Sequence, residues 1–525
     1  MDKVKNADEL ALLIKDGATV AVCGIGLAGW NEEMAAAVEQ RFLKTGHPQN
    51  ITLFQNGGTG DWTVKRGPTH FGHVGLIKRW IGAHVGSNPN ISRLVEENEI
   101  EAFNLPQGVI CQLWREIAAK RPGLITKVGL KTFVDPRVEG GKLNALTRAQ
   151  EDIVKFIEFE GEEYLFYKSF PIDVALIRGT VADENGNLIM PKEGQLNGAL
   201  HLAQATKNSG GIVIAQAEYV AQAKTLHPQE VKVPGILVDY VVVATKPENH
   251  WQTEGLYYNP AFAGSIKVSL NCIRCLPLNE RKIIARRAAM ELKPNTIINF
   301  GIGIPTDVAN VAVEENAIDN LLMTTEAGAI GGFPDGVPNF GHAYNAEAII
   351  EEPDQFQFYD GGGIDIAFLG LAQADEAGNV NVTKFGHKIA GCGGFVDISQ
   401  NSKKVVFCGS FTAGGLKVKA ENGELVIMQE GNLKKFLQKV EHITFSGEYA
   451  VERNQQVLYV TERAVFTIEK GQLTLIEIAP GADIQKDIIA HMDFRPNISK
   501  NLKTMPGEIF RPKWGGLQKF MEYCS

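Results

Sequence analysis

Apolar residues in this chain recur in two alternating patterns. Short, nearly unbroken runs occupy Thr296–Phe300, Ile212–Ala215, Val405–Cys408 and Tyr240–Ala244, as expected of strands buried on both faces of a parallel sheet. Between such runs lie segments with apolar positions spaced for one helix face, among them Glu280–Glu291 and Pro305–Glu315. This alternation predicts an α/β protein with largely parallel, helix-covered sheets. Periodicity fades from His250 to Leu278, where Pro and Gly punctuate the chain. The pattern therefore predicts an N-terminal domain over 1–255, a linker over 256–278 and a C-terminal domain over 279–525. The last 25 residues, with Pro506, Pro512 and Gly515-Gly516, read as an extended tail. The opening segment MDKVKNADELALLIKDG reads as an amphipathic helix without a long apolar core, so neither a signal nor a transit peptide is expected.

The two halves repeat one another. Residues 18–40 read as strand, glycine turn and helix, and so do residues 295–315, with Gly24-Ile25-Gly26 answered by Gly301-Ile302-Gly303. DVALIRGTVADENGNLIM (173–190) is answered by DIAFLGLAQADEAGNVNV (365–382), and NSGGIVIAQAE (208–218) by NSKKVVFCGSF (401–411). The last two matches share offsets of 192 and 193, whereas the first has 277, so the first half carries about 85 extra residues. Two structurally related open α/β domains follow, the first enlarged by an insertion within about 60–170.

Chain length and composition narrow the function. At 525 residues, 44% apolar and 22% charged, the chain is ordinary for a globular protein with two to four domains. No window approaches 18 unbroken apolar residues, so no membrane span is expected. Seven cysteines are too few and too odd in number for a disulfide framework, which fits a reducing cytoplasm. Cys272 and Cys275 form one CxxC with no second pair at zinc spacing, and no metal site is expected. A net charge of −9 argues against nucleic-acid binding.

One carboxylate stands out. The run Leu321–Thr325 stops at Glu326, followed by Ala327, Gly328, Ala329 and Gly331-Gly332. An acid at a strand's carboxyl end among small residues is placed where open α/β sheets bind ligands, and glycines permit close approach. A turn acid or helix cap is the plain alternative. Aligning NITLFQNGG (50–58) with NLLMTTEAG (320–328) sets Asn56 opposite Glu326. Asn would cap a turn equally well, so this asymmetry favours chemistry at Glu326.

The other glycine motifs are less specific. Gly24-x-Gly-x-x-Gly29 fits the dinucleotide fingerprint, but the next strand ends Phe54-Gln55-Asn56 without the acid that would hold a ribose, and the second copy lacks the third glycine. A phosphate or acyl group at a helix N-terminus is the better reading. Gly391-Cys392-Gly393-Gly394, and Gly361-Gly362-Gly363 after Tyr359-Asp360, offer amides for an oxyanion hole, with tight turns as the alternative. There is no GxSxG and no HExxH, and His387 reads as a structural or solvated residue.

Together the paired glycine turns, TTEAGAIGG, LPQG (105–108) and DIAFLGLAQADEAGNVNV…AGCGGFVDIS resemble the family I coenzyme A transferases, most nearly the fused-chain, short-chain acyl (acetate/propionate) group. The resemblance spans essentially the whole chain. It implies Glu326 as the nucleophile, since the family's EAG or ESG glutamate falls there. It implies Gln107 near the acyl group and the Gly391–Gly394 loop supporting the thioester carbonyl through Gly393 and Gly394. Gly301, Gly303 and Gly391 are then expected to approach coenzyme A. Lys384, Lys388 and Lys417 are candidates for its phosphates. This sequence has EAG where some relatives have ESG, which removes any serine contact. The implied reaction moves coenzyme A between a short-chain acyl-CoA and a carboxylic acid through covalent glutamyl intermediates. It needs no resident cofactor, since coenzyme A and acyl-CoA are substrates, and a homo-oligomer such as a tetramer is expected. An acyl-CoA hydrolase using the same glutamate is one alternative, and a sugar-phosphate or acyl-ligand sensing module is another.

Overall fold

The computed structural model describes residues 3–270 and 275–523. Cys272 of the CxxC pair lies outside them. In the first half, a seven-stranded parallel sheet forms from β1 (Thr19–Val22), β2 (Ile51–Gln55), β3 (Ile77–Gly82), β4 (Glu101–Asn104), β5 (Val174–Arg178), β6 (Ile212–Ala217) and β7 (Tyr240–Val243), in the order β7-β6-β5-β1-β2-β3-β4. In the second half, β8 (Ile297–Phe300), β9 (Leu322–Thr324), β10 (Ile366–Gly370), β11 (Lys404–Cys408) and β12 (Gln456–Val460) run in the order β12-β11-β10-β8-β9. The two orders are the same once β1 is matched to β8, so the repeat read from sequence is a repeat of topology. The class is mixed α/β with largely parallel sheets.

The extra length of the first half has two structural uses. β3 and β4 extend the sheet beyond β2. Gly123–Thr126, Val154–Phe159 and Glu162–Lys168 make a separate antiparallel sheet. The second half instead adds the antiparallel hairpin Ala464–Glu469 and Gln472–Ile478 beyond β12.

Central strands such as β2 and β5 are buried at every residue, which explains their unbroken apolar runs. Helices cover both faces. Glu32–Thr45 starts with Asn31 accepting from the Met34 amide and stops at left-handed Gly46. The two halves also share core, since Cys392, Val396 and Tyr449 pack into an N-terminal cluster and Cys111 into a C-terminal one.

Two terminal expectations need correction. The opening helix spans only Ala7–Ala11. The C-terminal tail is not merely extended: it holds a 3-10 turn at Gly507–Phe510 and a helix at Leu517–Tyr523, and buries Phe510, Trp514 and Leu517 in the second half's core. Apolar side chains among prolines anchor this segment, and period counting alone misses them.

Candidate active site

In each sheet the chain runs outward on one side of the first strand and then returns to the other. A topological switch point therefore lies between β8 and β10, and the crevice at the carboxyl ends of such strands is a natural ligand site. A cleft of about 380 Å³ opens there between the two halves, lined by Gly301, Glu326 and Gly394 of the second half and by Trp62, His84 and Gln107 of the first.

Glu326 sits two residues beyond β9. Its turn is held by the Thr325 amide donating to the Ala329 carbonyl (2.9 Å) and the Thr325 hydroxyl donating to the Gly341 carbonyl (3.0 Å). The following glycines answer to the protein's own backbone. A Cβ at Gly328 would strike the Ile350 carbonyl oxygen, and one at Gly332 the Tyr344 carbonyl oxygen. What clears the space over the carboxylate is Gly394, where an added Cβ would lie 2.7 Å from Glu326 Oε2. Glu326 opens on the cleft, yet its carboxylate is largely withdrawn from water. Burial pushes it up to about 7, with Gln107 beside it as the one opposing influence. An unperturbed glutamate near 4.3, the starting assumption from sequence, is thus replaced by one that titrates near neutrality.

Gln107 begins the helix Gln107–Ala118, and its backbone amide donates to the Gly393 carbonyl at 3.0 Å. Its side-chain Nε2 donates to Glu352 Oε1 at 2.7 Å. Glu352 opens the helix Glu352–Asp360, is fully buried, and also accepts from Asn56 Nδ2 at 2.7 Å. Sequence reading did not find Glu352, although a duplicated chain with Gln107 at one helix start gives reason to look at the other. Nor did it find Glu254, which lines the cleft and is pushed up to about 7 by burial and by nearby Asp61.

The Gly391–Gly394 loop is tied to both halves. The Gly391 amide donates to Thr383, Cys392 to Asn104 Oδ1 and Gly393 to Ala83, at 3.2, 3.1 and 2.9 Å. Three of its four amides are thus already engaged, and only the Gly394 amide has no protein acceptor among the described residues. Any oxyanion donor from this loop reduces to Gly394. The amides of Gly361, Gly362 and Gly363 all turn back onto Gln357, Tyr359 and Phe358, so this cluster is a helix terminus.

Of the other expected residues, Gly301 and Gly391 line the cleft, but Gly303 caps the helix Ile304–Glu314 and does not. Lys384 Nζ donates to the Leu143 carbonyl at 3.2 Å, and Lys388 and Lys417 are exposed away from the cleft, as is His387. The cation that does line the cleft is Lys435.

A family model described as coenzyme A transferase matches residues 4–244. The chain is 56% identical to caffeate CoA-transferase of Acetobacterium woodii, over 99% of this chain and 100% of that protein. It is 44% identical to acetate CoA-transferase YdiF of Escherichia coli K12, over 97% and 95% respectively. The crystal structure of the acyl-CoA transferase YdiF apoenzyme from Escherichia coli O157:H7 matches with a TM-score of 0.92 and 43% identity, covering 98% of this chain and 97% of that one. The same protein in a thioester complex with CoA matches with a TM-score of 0.91 at 42% identity, with the same coverage of both chains. This chain belongs to the family I coenzyme A transferases. It transfers coenzyme A between an acyl-CoA and a carboxylate.

Proposed function

We propose that Glu326 is the nucleophile of this transfer and that the acyl groups are carried by monocarboxylic acids. The observation that supports this is the Glu326 carboxylate lying over Gly394 in a cleft that both halves line. Ionised Glu326 attacks the acyl-CoA carbonyl carbon, the C–S bond breaks, and the electron pair leaves on the CoA thiolate, giving an acyl-glutamyl anhydride. The thiolate attacks the glutamyl carbonyl and expels the acyl group as its carboxylate, leaving a glutamyl-CoA thioester. An incoming carboxylate reverses both steps and departs as its CoA ester. No net proton moves, and one thioester is exchanged for another. The Gly394 amide is positioned to donate to the developing oxyanion, an interaction worth roughly 2.7–4 kcal/mol in other acyl-transfer sites. The partly dry cleft replaces water around the carboxylate by fixed dipoles.

Acetate and propionate are the expected acceptors by family group, and the acetate enzyme at 44% identity supports acetate. The relative at 56% identity acts on caffeate, and the cleft wall carrying Trp62, His84 and Phe340 favours a second acceptor class, aryl-substituted acids. Parallel assays with acetate, propionate and caffeate separate the two. Intact-mass analysis after mixing with acetyl-CoA, without acceptor, tests the nucleophile. A covalent CoA adduct mapped to the peptide holding Glu326 and absent in Glu326→Ala is expected, and transfer by Glu326→Ala would refute the assignment. CoA release that does not respond to added acetate would instead mark a hydrolase. We further propose that the enzyme acts in the cytoplasm, as a homo-oligomer.

A further inference from the structure

Three adjacent parallel strands of the second half end in glycine. β8 is followed by Gly301, β10 ends at Gly370, and β11 is followed by Gly409. All three line the cleft along the carboxyl edge of the sheet from β9 to β11, together with Leu369, Leu371 and Ala372, and of the three only Gly370 has open space where a Cβ would lie. Glu326 stands at its β9 end. At the β11 end stands Lys435, whose Nζ would lie 2.8 Å from a Cβ added at Gly409.

Lys435 is unusual among the chain's lysines. Its residue is only 8% exposed, yet no carboxylate pairs with it among the described residues. The acid nearest in influence, Glu462, is already taken by Arg463 Nε (2.7 Å) and the Phe411 amide (2.9 Å). Its neighbour Lys434, by contrast, pairs with Asp493 at 2.9 Å. Burying an unpaired ammonium is costly, and here burial holds Lys435 down to about 8, with Glu462 opposing. A cation kept at that cost and lining a cleft is matched to an anionic ligand group.

We propose that Lys435 binds the phosphate at the head of the pantetheine arm of coenzyme A, the arm lying along this strand edge with its sulfur at Glu326. The inference rests on the transferase reading above and assigns a residue within it. The span is right. Three strand spacings of roughly 4.8 Å put Lys435 about 14 Å from Glu326 along the sheet edge. An extended chain of about thirteen bonds, the path from the thiol sulfur to that phosphorus, reaches about 15 Å at the rise of extended polypeptide. Gly370 leaves room for the arm, whereas Gly301 and Gly409 accommodate Leu369 and Leu371, and Lys435 meets the arm's first charge.

The test uses the full-length protein and three ligands: coenzyme A, 4′-phosphopantetheine and pantetheine, titrated calorimetrically. Wild type is expected to bind the two phosphate-bearing ligands about tenfold or more tightly than pantetheine, the increment of a charge-assisted hydrogen bond. Lys435→Met should abolish that preference and raise KM for acetyl-CoA by a similar factor, leaving KM for acetate unchanged. Lys435→Arg should retain much of the preference, and melting curves verify that both variants are folded. A wild type blind to the phosphate, or a Lys435→Met variant that keeps the preference, overturns the assignment. Failure of the transferase reading shows separately, as absence of the Glu326 adduct in wild type.

Discussion

Gln107 and Glu352 come from opposite halves of the chain and meet through a 2.7 Å hydrogen bond from Nε2 to Oε1. Each opens a helix that packs against the other's. Asn56 and Glu326, aligned by the repeat, stand just beyond equivalent strands β2 and β9. The site is thus a pseudo-symmetric quartet in which each carboxylate has an amide of the other half beside it: Gln107 for Glu326 and Asn56 for Glu352. Of the two carboxylates only Glu326 lines the cleft, with Gln107 beside it.

Glu352 is expected to work as a neutral group. Burial pushes it up to about 8, against the hydrogen bond from Gln107, and the nearby Glu326 charge pushes the same way. Its task is to hold Gln107, so Glu352→Ala should lower kcat about 10–100-fold by misplacing that amide. Glu352→Gln, uncharged and nearly isosteric, should retain most of the activity at neutral pH. Steady-state kinetics beside melting curves check this. A Gln variant as poor as the Ala variant would show that the ionised form is what matters.

The rate of adduct formation should report the titration of Glu326. In the proposed mechanism the nucleophile is the ionised carboxylate, which burial pushes up to about 7. Single-turnover CoA release should therefore fall about tenfold per pH unit well below that value and level off above it. A profile flat from pH 5 to 8 would mean an ordinary, solvated carboxylate.

Much of this was legible in the chain. The near-continuous runs gave β6, β7, β8 and β11, because a strand buried on both faces has no polar side to break the pattern. The repeat offsets exposed the shared topology. The glycines were harder, since sequence cannot say which neighbour a missing Cβ accommodates. Gly328 and Gly332 make room for backbone and Gly394 for a carboxylate, although all three look alike in the sequence. Lys435 was invisible for a related reason. In GNLKKFL it is one of two adjacent lysines, and only packing decides that Lys434 faces Asp493 while Lys435 lines the cleft.

Global stability should decline as pH rises through the neutral range. Glu326, Glu351, Glu352 and Asp360 are all raised by burial, to between about 7 and about 8. Each is protonated in the fold at pH values where the unfolded chain, near 4, has already released its proton. Through these groups the folded state binds more protons, and unfolding free energy falls with pH. The histidines His84, His201, His250, His342 and His442, all held down by burial, act the opposite way only below about 6.5, so the net decline falls between about pH 6.5 and 8. Stability from these groups is fully present below the unfolded value and is lost as pH passes the folded one. Urea unfolding at pH 6.5 and 8, at matched ionic strength, measures it. Replacing Glu352 by Gln should flatten the decline.

Gly393 and Gly394 adjoin but should fail in different ways when changed to alanine. Gly394 has φ −84°, which any residue adopts, so its backbone does not resist substitution. The new Cβ would instead lie 2.7 Å from Glu326 Oε2 and 2.9 Å from Phe356 Cζ, forcing the carboxylate out of line. Gly394→Ala should therefore cut turnover by about 100-fold, the cost of a misplacement near 1 Å, with little change in melting temperature. Gly393 has φ +53°, where a Cβ is strained, but the nearest atom it would meet is Gln107 Oε1 at 3.8 Å. Gly393→Ala should lose about 1–2 kcal/mol of stability while keeping most of its turnover. If both variants lost activity and stability together, the loop would be acting as a single structural unit and the special place of Gly394 over the carboxylate would be disproved.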